Sequence, residues 1–351
     1  MEPFIILFVY LILLLLVTKH MHYKHKRMVQ SVGSLLGLLF LLGLHSPNVG
    51  ADMEHYIPAF QGVSKELTLT PDFVLGFEPG FVLYMSAIKL ISSNEQIFLF
   101  ISALVILIPI VLMIFRHSEM PMLSIIIYAS WYLYYFSFSG LRQALAISIC
   151  VIASMFMMRR KWLPFILIVL LASQFHASAL LFLIAYPLYN LHISNVKLFV
   201  ASVIMLLILI VFKDVLSLVA DFVFGEGNRY TGHIKTGEFG GYTIAIVYLL
   251  IAIVQITANT RNKHLDNPYI PFLLVLMLFQ FTGIYSQTIP RMGYYFLPFF
   301  ALSFPVMIKQ LPKKNRMIVE LSLVVLFVSF FFMQASTHYL NVTPFKFYWE
   351  G

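Results

Sequence analysis

Apolar runs of near-bilayer length recur along this chain from end to end. They fall at about 3–18, 31–45, 78–92, 96–115, 121–138, 141–158, 162–175, 177–190, 198–213, 241–258, 269–286, 292–308 and 317–335. A run of about 20 apolar residues is what a helix needs to cross a bilayer, and here the shorter runs are separated by brief polar stretches. The pattern predicts helices throughout. The expected fold class is an all-α polytopic membrane protein, with residues 1–351 as a single integral membrane domain. Two polar stretches are too long for simple turns, 46–77 and 214–240, and both carry several Gly, Asp and Glu residues and one tyrosine, Tyr56 and Tyr230 respectively. Long loops on a rigid scaffold commonly carry function.

Charge orients the helices. Basic residues cluster at Lys19/Lys24/Lys26/Arg27, Arg116, Arg159-Arg160-Lys161, Arg261/Lys263 and Lys309/Lys313/Lys314/Arg316. Placing these clusters inside, as short basic loops require, fixes the parity. The run 78–92 must then not cross, and reads as a re-entrant or interfacial helix; 162–175 and 177–190 pair about an outer turn at Phe175-His176. About twelve transmembrane helices follow, with both termini outside. With Lys197 added, inside loops hold 15 of the 23 Lys and Arg but only Glu119, Asp266 and Glu320 of the 15 acids. The loops 46–77 and 214–240 are then outer loops.

Composition agrees: 60% of residues are hydrophobic and 11% charged, against about 25% charged in ordinary soluble domains. The net charge of +8 belongs to orientation signals and not to a nucleic-acid surface. Cys150 is the single cysteine, so neither an intramolecular disulfide nor a cysteine-based zinc site is expected. No phosphate-cradling glycine loop follows a strand, which removes the nucleotide-driven classes. The opening Met1-Glu2-Pro3 lacks a basic leader, and 3–18 reads as a retained helix.

Candidate chemistry gathers on the outer side of this scheme. Arg142 and Arg291 fall at helix starts beside hydrocarbon, where an unpaired cation is costly. An arginine fork added to the positive end of a helix is a good anion cradle, and two such sites suit a diphosphate; Arg229, in the second loop, is a third candidate. Asp52, Glu78 and His176 are candidate proton acceptors. Tyr56, Tyr230, Tyr294 and Tyr295 offer aromatic faces suited to sugar rings, and Gln143 adds an amide. Each has a structural alternative: Arg142 and Arg291 as partners of lipid headgroups or of Asp52 and Glu78 in ion pairs, His176 bonded to a backbone carbonyl, the tyrosines as interface belt residues. His20, His22 and His25 alternate in a basic loop without carboxylate or cysteine support, so no metal site is assigned.

The ordered set Gly50-Ala51-Asp52…Tyr56, Glu78-Pro79-Gly80-Phe81, Leu141-Arg142-Gln143-Ala144, Phe175-His176-Ala177-Ser178 and Arg291…Tyr294-Tyr295 resembles the EpsG/Wzy family of bacterial O-antigen and exopolysaccharide polymerases. Phe81 stands where the family usually has tyrosine, and Phe345 replaces the tyrosine of a PYKFF-like ending. The resemblance implies a GT-C-like membrane glycosyltransferase, multi-pass in the bacterial cytoplasmic (inner) membrane, with its active site facing the periplasm. It implies partners: undecaprenyl-diphosphate-linked glycans as donor and acceptor, membrane lipids around them, a flippase and a chain-length regulator, and no nucleic acid. It implies no cofactor and a metal-free reaction, with arginines neutralising the departing diphosphate. Alternatives are a lipid-linked oligosaccharide flippase or transporter, an O-antigen ligase, and a membrane O-acyltransferase. A transporter would carry charges along a midplane path and show repeated halves, neither of which the sequence has.

Overall fold

The computed structural model describes residues 1–65, 76–190, 194–211, 241–261, 267–284 and 289–350. Among them the chain is helical, with one isolated bridge, His45 to Phe347, as the extended pairing. Five helices are long and apolar enough to cross a membrane, and eight shorter apolar helices accompany them. Contacts group these residues into two compact units, Met1–Leu183 with Pro312–Gly351, and Ile184–Leu311.

The first unit holds α1 (Glu2–Val17), α2 (Tyr23–Leu44), α3 (Met53–Gly62), α4 (Pro79–Ile91), α5 (Glu95–His117), α6 (Pro121–Ser130), α7 (Leu133–Phe136), α8 (Leu141–Met157) and α9 (Trp162–Ser173). The second holds α10 (Ala185–Asn190), α11 (Asn195–Val211), α12 (Gly241–Arg261), α13 (Ile270–Phe281), α14 (Ile289–Met292) and α15 (Leu297–Lys309). The chain then returns to the first unit as α16 (Lys313–Ala335). At 1.5 Å per residue, the 23 residues of α5 reach about 35 Å, enough for a bilayer core of about 30 Å. The outward surface is apolar: α1 exposes Ile6, Leu13 and Val17, and α16 exposes Met317, Leu321 and Val325. Such faces are costly in water and suited to lipid, so the chain is a multi-pass membrane protein.

The long helices of the first unit run between two chemically distinct ends. At one end the charge of Lys26 acts on Glu320, and those of Arg116 and Arg159 act on His117; Gln96 at the start of α5 donates to the Gly43 carbonyl near the end of α2 (2.7 Å), so α2 and α5 run antiparallel and both pairs lie at the same end. At the other end, the segment after α2 is tied to the C-terminal tail. Ser46 N–H donates to the Lys346 carbonyl (2.9 Å), Gly50 N–H to Asn341 (3.0 Å) and Ala51 N–H to Leu340 (2.8 Å). The Asp52 amide donates to Ser139 Oγ just before α8, at 3.1 Å. Both ends of α4 sit at this second end: Glu78 precedes it beside the start of α8, and Lys89 Nζ donates to the Val63 carbonyl at 2.7 Å, near Gln61 and Glu95.

Two apolar runs are less regular than their hydrophobicity suggests. Run 121–138 breaks between α6 and α7, where Tyr132 adopts φ 42°. Trp131 beside the break stacks on Phe330 of α16, ring centres 4.3 Å apart, so tertiary packing holds a bend that no glycine or proline marks. Run 292–308 is a one-turn helix, a 3-10 turn over Gly293–Phe296, and then α15. In the second unit, buried amides tie helices together: Gln255 donates to Ser303 Oγ (2.9 Å), and Asn267 Nδ2 to Gln255 Oε1 (3.0 Å) and the Ser303 carbonyl (3.1 Å). These bonds satisfy polar groups that would be costly in an apolar surrounding.

Gly50 is a keystone of the polar end. Its φ is +108°, and an added Cβ would lie 2.1 Å from the Phe138 carbonyl oxygen. Gly50→Ala should cost at least about 2 kcal/mol, from backbone strain plus a clash with main chain that cannot swing away. Gly62, which has open space where its Cβ would go, supplies the control. Thermal unfolding of the detergent-purified proteins should show a lowered midpoint for Gly50→Ala and little change for Gly62→Ala; equal midpoints would refute this account.

Candidate active site

The carboxylate of Glu78 organises the polar end of the first unit. Its Oε2 accepts from Arg142 Nη1 at 2.6 Å; its Oε1 faces His176 Nδ1 at 3.2 Å and accepts the Ala177 amide at 3.0 Å. Three segments far apart in sequence thus meet on one side chain. The local sequence explains how each gets there. Pro79 opens α4, and a residue before proline is driven to extended backbone; Glu78 has φ −65°, ψ 143°. Gly80 then lets the α4 start lie directly on the turn after α9. A Cβ at Gly80 would come 2.8 Å from the Gln174 carbonyl oxygen, and Phe81 N–H donates to that same oxygen at 3.1 Å. The Glu-Pro-Gly sequence is therefore a docking element that delivers a carboxylate to His176.

Arg142 is the second residue of α8, whose N-cap is Gly140. Its guanidinium lies 4.5 Å from the centre of the Phe77 ring and 5.8 Å from that of Tyr56, so aromatic faces cover a cation that also pairs with Glu78. The Nε atom is buried and has no hydrogen-bond partner. Burial pushes the Glu78 carboxyl up, but the His176 hydrogen bond, the Arg142 charge and the Ala177 amide outweigh it and hold it down at about 2. A carboxylate so stabilised is a weak base, and Glu78 is better read as a partner of the other groups than as the proton acceptor itself.

Tyr56, on α3, is buried against Phe77 and Phe81, with ring centres 5.8 and 5.7 Å away. Burial pushes its phenol up, Arg142 pulls it down and Asp52 pushes it up again, so both charges act on this ring. Asp52 occupies the N-cap position of α3 without a side-chain capping bond and is half-buried. Phe81 is fully buried between Tyr56, Phe77 and Tyr84, which explains why no hydroxyl is needed there. Phe345 likewise packs edge-on against Phe4 and Phe138.

Of the residues singled out in the sequence, Glu78, Arg142 and His176 come into direct contact, with Tyr56 and Asp52 beside them. Gln143 is buried in α8 next to Arg142. Arg291, Tyr294 and Tyr295 belong to the second unit: Arg291 is in the one-turn α14, Tyr294 is 8% exposed and Tyr295 fully buried. Arg229 and Tyr230, with the loop 214–240, lie outside the described residues, as does 66–75 of the first loop. Sequence reasoning missed Phe77 and the Gln174 carbonyl. Phe77 directly precedes the Glu-Pro-Gly element, and that adjacency is the signal that could have found it. Among the described residues no three His, Cys, Asp or Glu side chains gather as a metal site would need.

A family model described as the EpsG family matches residues 28–347, nearly the whole chain and every element of the Glu78 site. Comparison with curated proteins and with solved structures gives no match.

Proposed function

The chain belongs to the EpsG family, which includes Wzy-like polymerases, and from that premise we propose that it joins lipid-linked oligosaccharide repeat units into a polysaccharide. Donor and acceptor are glycans on undecaprenyl diphosphate, and the reaction takes place at the periplasmic side of the bacterial inner membrane. The fold is then GT-C-like, with about twelve crossings and α4 as the interfacial helix. One observation carries the reading: an arginine, a carboxylate and a histidine meet at the end of the first unit opposite its basic clusters. With those clusters cytoplasmic, this end faces outward, where flipped lipid-linked glycans lie.

The chemistry balances without any nucleotide. A hydroxyl of the acceptor glycan attacks the anomeric carbon of the donor's reducing-end sugar. The new C–O bond forms as the bond to the diphosphate breaks, and undecaprenyl diphosphate leaves with that electron pair. His176 takes the hydroxyl proton. Arg142, at the positive start of α8, binds the diphosphate as its charge grows, an interaction stronger in the transition state than in the ground state. Asp52 and Tyr56 lie beside the same site, Asp52 as the second candidate for the hydroxyl proton and Tyr56 buried with its ring near the Arg142 guanidinium.

Deletion of the gene with electrophoresis of the surface polysaccharide tests the reaction. The ladder should collapse to core plus one repeat unit and return on complementation. Loss of every repeat would instead indicate flippase or ligase activity, and an unchanged ladder would end the proposal.

A further inference from the structure

We propose that Glu78 is the positioning residue of this site: it holds the proton of His176 on Nδ1, leaving Nε2 as the imidazole's free base, while its other oxygen anchors Arg142 in the same frame. The argument rests on donor and acceptor counting. Arg142 Nη1 and the Ala177 amide can only donate, and both donate to Glu78, at 2.6 and 3.0 Å. A carboxylate receiving these two bonds is ionised and has no proton to give. The His176 nitrogen 3.2 Å from Oε1 must therefore be the one that bears hydrogen. In a neutral imidazole that leaves the lone pair on Nε2, away from Glu78.

The surroundings make this a built arrangement. The Glu-Pro-Gly element is docked on the turn that carries His176, through Phe81 N–H and the Gln174 carbonyl, with no room for a side chain at Gly80. The same Oε1 accepts the amide that follows His176, so it fixes the backbone as well as the ring. His176 keeps about a fifth of its side chain exposed, so the imidazole is not sealed from its surroundings. A base for the acceptor hydroxyl and a cation for the leaving group are thereby held at a set separation by one side chain.

The inference takes the use of Nε2 from the proposed polymerase reaction, but the tautomer can be tested without it. Detergent-purified full-length protein is alkylated with iodoacetate, and the His176 peptide is analysed for its two carboxymethylhistidine isomers. The Nδ1–H bond to an ionised carboxylate should favour the Nε2 isomer roughly 10- to 150-fold. Glu78→Gln keeps an acceptor for Nδ1–H and should retain this preference, whereas Glu78→Ala should give both isomers. If Glu78→Ala fails to accumulate, Glu78→Leu, which fills similar volume without a hydrogen-bond acceptor, takes its place. A wild-type protein alkylated chiefly at Nδ1, or three proteins with one ratio, would overturn the proposal. No glycan takes part, so such a result would leave the polymerase reading standing. A normal isomer ratio in a protein whose deletion leaves the ladder intact would do the reverse.

Discussion

Arg142→Lys should reach the membrane at close to wild-type level and yet build a short, faint polysaccharide ladder, while Arg142→Ala should lose both protein and product. The two substitutions separate what the guanidinium does for the fold from what it does for the reaction. In the fold it is the cation opposite Glu78, at 2.6 Å, with both side chains about one-fifth exposed. Alanine would leave that carboxylate half-buried without its counter-charge, at a cost of about 3 kcal/mol, near the low end for a broken buried pair. Lysine restores a positive charge to Glu78 and most of that stability. It cannot lie flat on Phe77, and it has no second edge of donors once its ammonium faces Glu78. In the native protein Nη1 goes to Glu78, and the planar fork holds its remaining N–H donors in a fixed geometry that lysine's ammonium lacks. A charge-assisted bond to the departing diphosphate is worth about 1.5–3 kcal/mol, so the lysine variant should polymerise roughly 10- to 150-fold more slowly. Quantitative blotting of membranes beside ladder electrophoresis reads both properties. Lysine restoring level and ladder alike would reduce Arg142 to an ion-pair partner.

The sequence was most informative where chemistry is costly to misplace. An arginine at a helix start beside apolar runs and a glutamate ahead of Pro-Gly are hard to accommodate unless they find one another, and in the structure Arg142 and Glu78 do. Basic residues cannot be scattered through an apolar layer without cost, and in the structure they gather near helix ends: Lys26 acts on Glu320, and Arg116 and Arg159 act on His117. What could not be read was anything decided by packing between distant segments. The bend at Tyr132 has no local signal, since its support is Phe330 on a helix two hundred residues away. Gly80 is legible as a helix-start residue, but its reason is the Gln174 carbonyl it lies against. The tail over 340–346 offers little chemistry of its own, yet it pairs with the backbone at Ser46, Gly50 and Ala51 and so braces the segment bearing Asp52. The division into two compact units is also absent from the hydropathy pattern, because apolar helices look alike whichever neighbours they pack on.

His176→Asn should accumulate normally and extend the polysaccharide about 10²- to 10⁴-fold more slowly, the usual contribution of a positioned general base. Asparagine is the informative replacement because its amide nitrogen falls near the place of Nδ1. It can donate to Glu78 Oε1, so the links from Glu78 to the turn and to Arg142 survive. It has no basic nitrogen in the place of Nε2 and cannot accept the hydroxyl proton. Alanine at the same position removes base and donor together, leaving Glu78 with Arg142 and the Ala177 amide, and would confound a local rearrangement with a chemical loss. If both variants accumulate and both lose the ladder, the missing function is the proton acceptor. If asparagine supports a full ladder while alanine does not, His176 serves only as a hydrogen-bond donor to Glu78. The base would then be sought at Asp52, which is half-buried and close enough for its charge to act on Tyr56. A full ladder from both variants would mean that the acceptor hydroxyl needs no strong base, and that the diphosphate's departure, assisted by Arg142, drives the reaction.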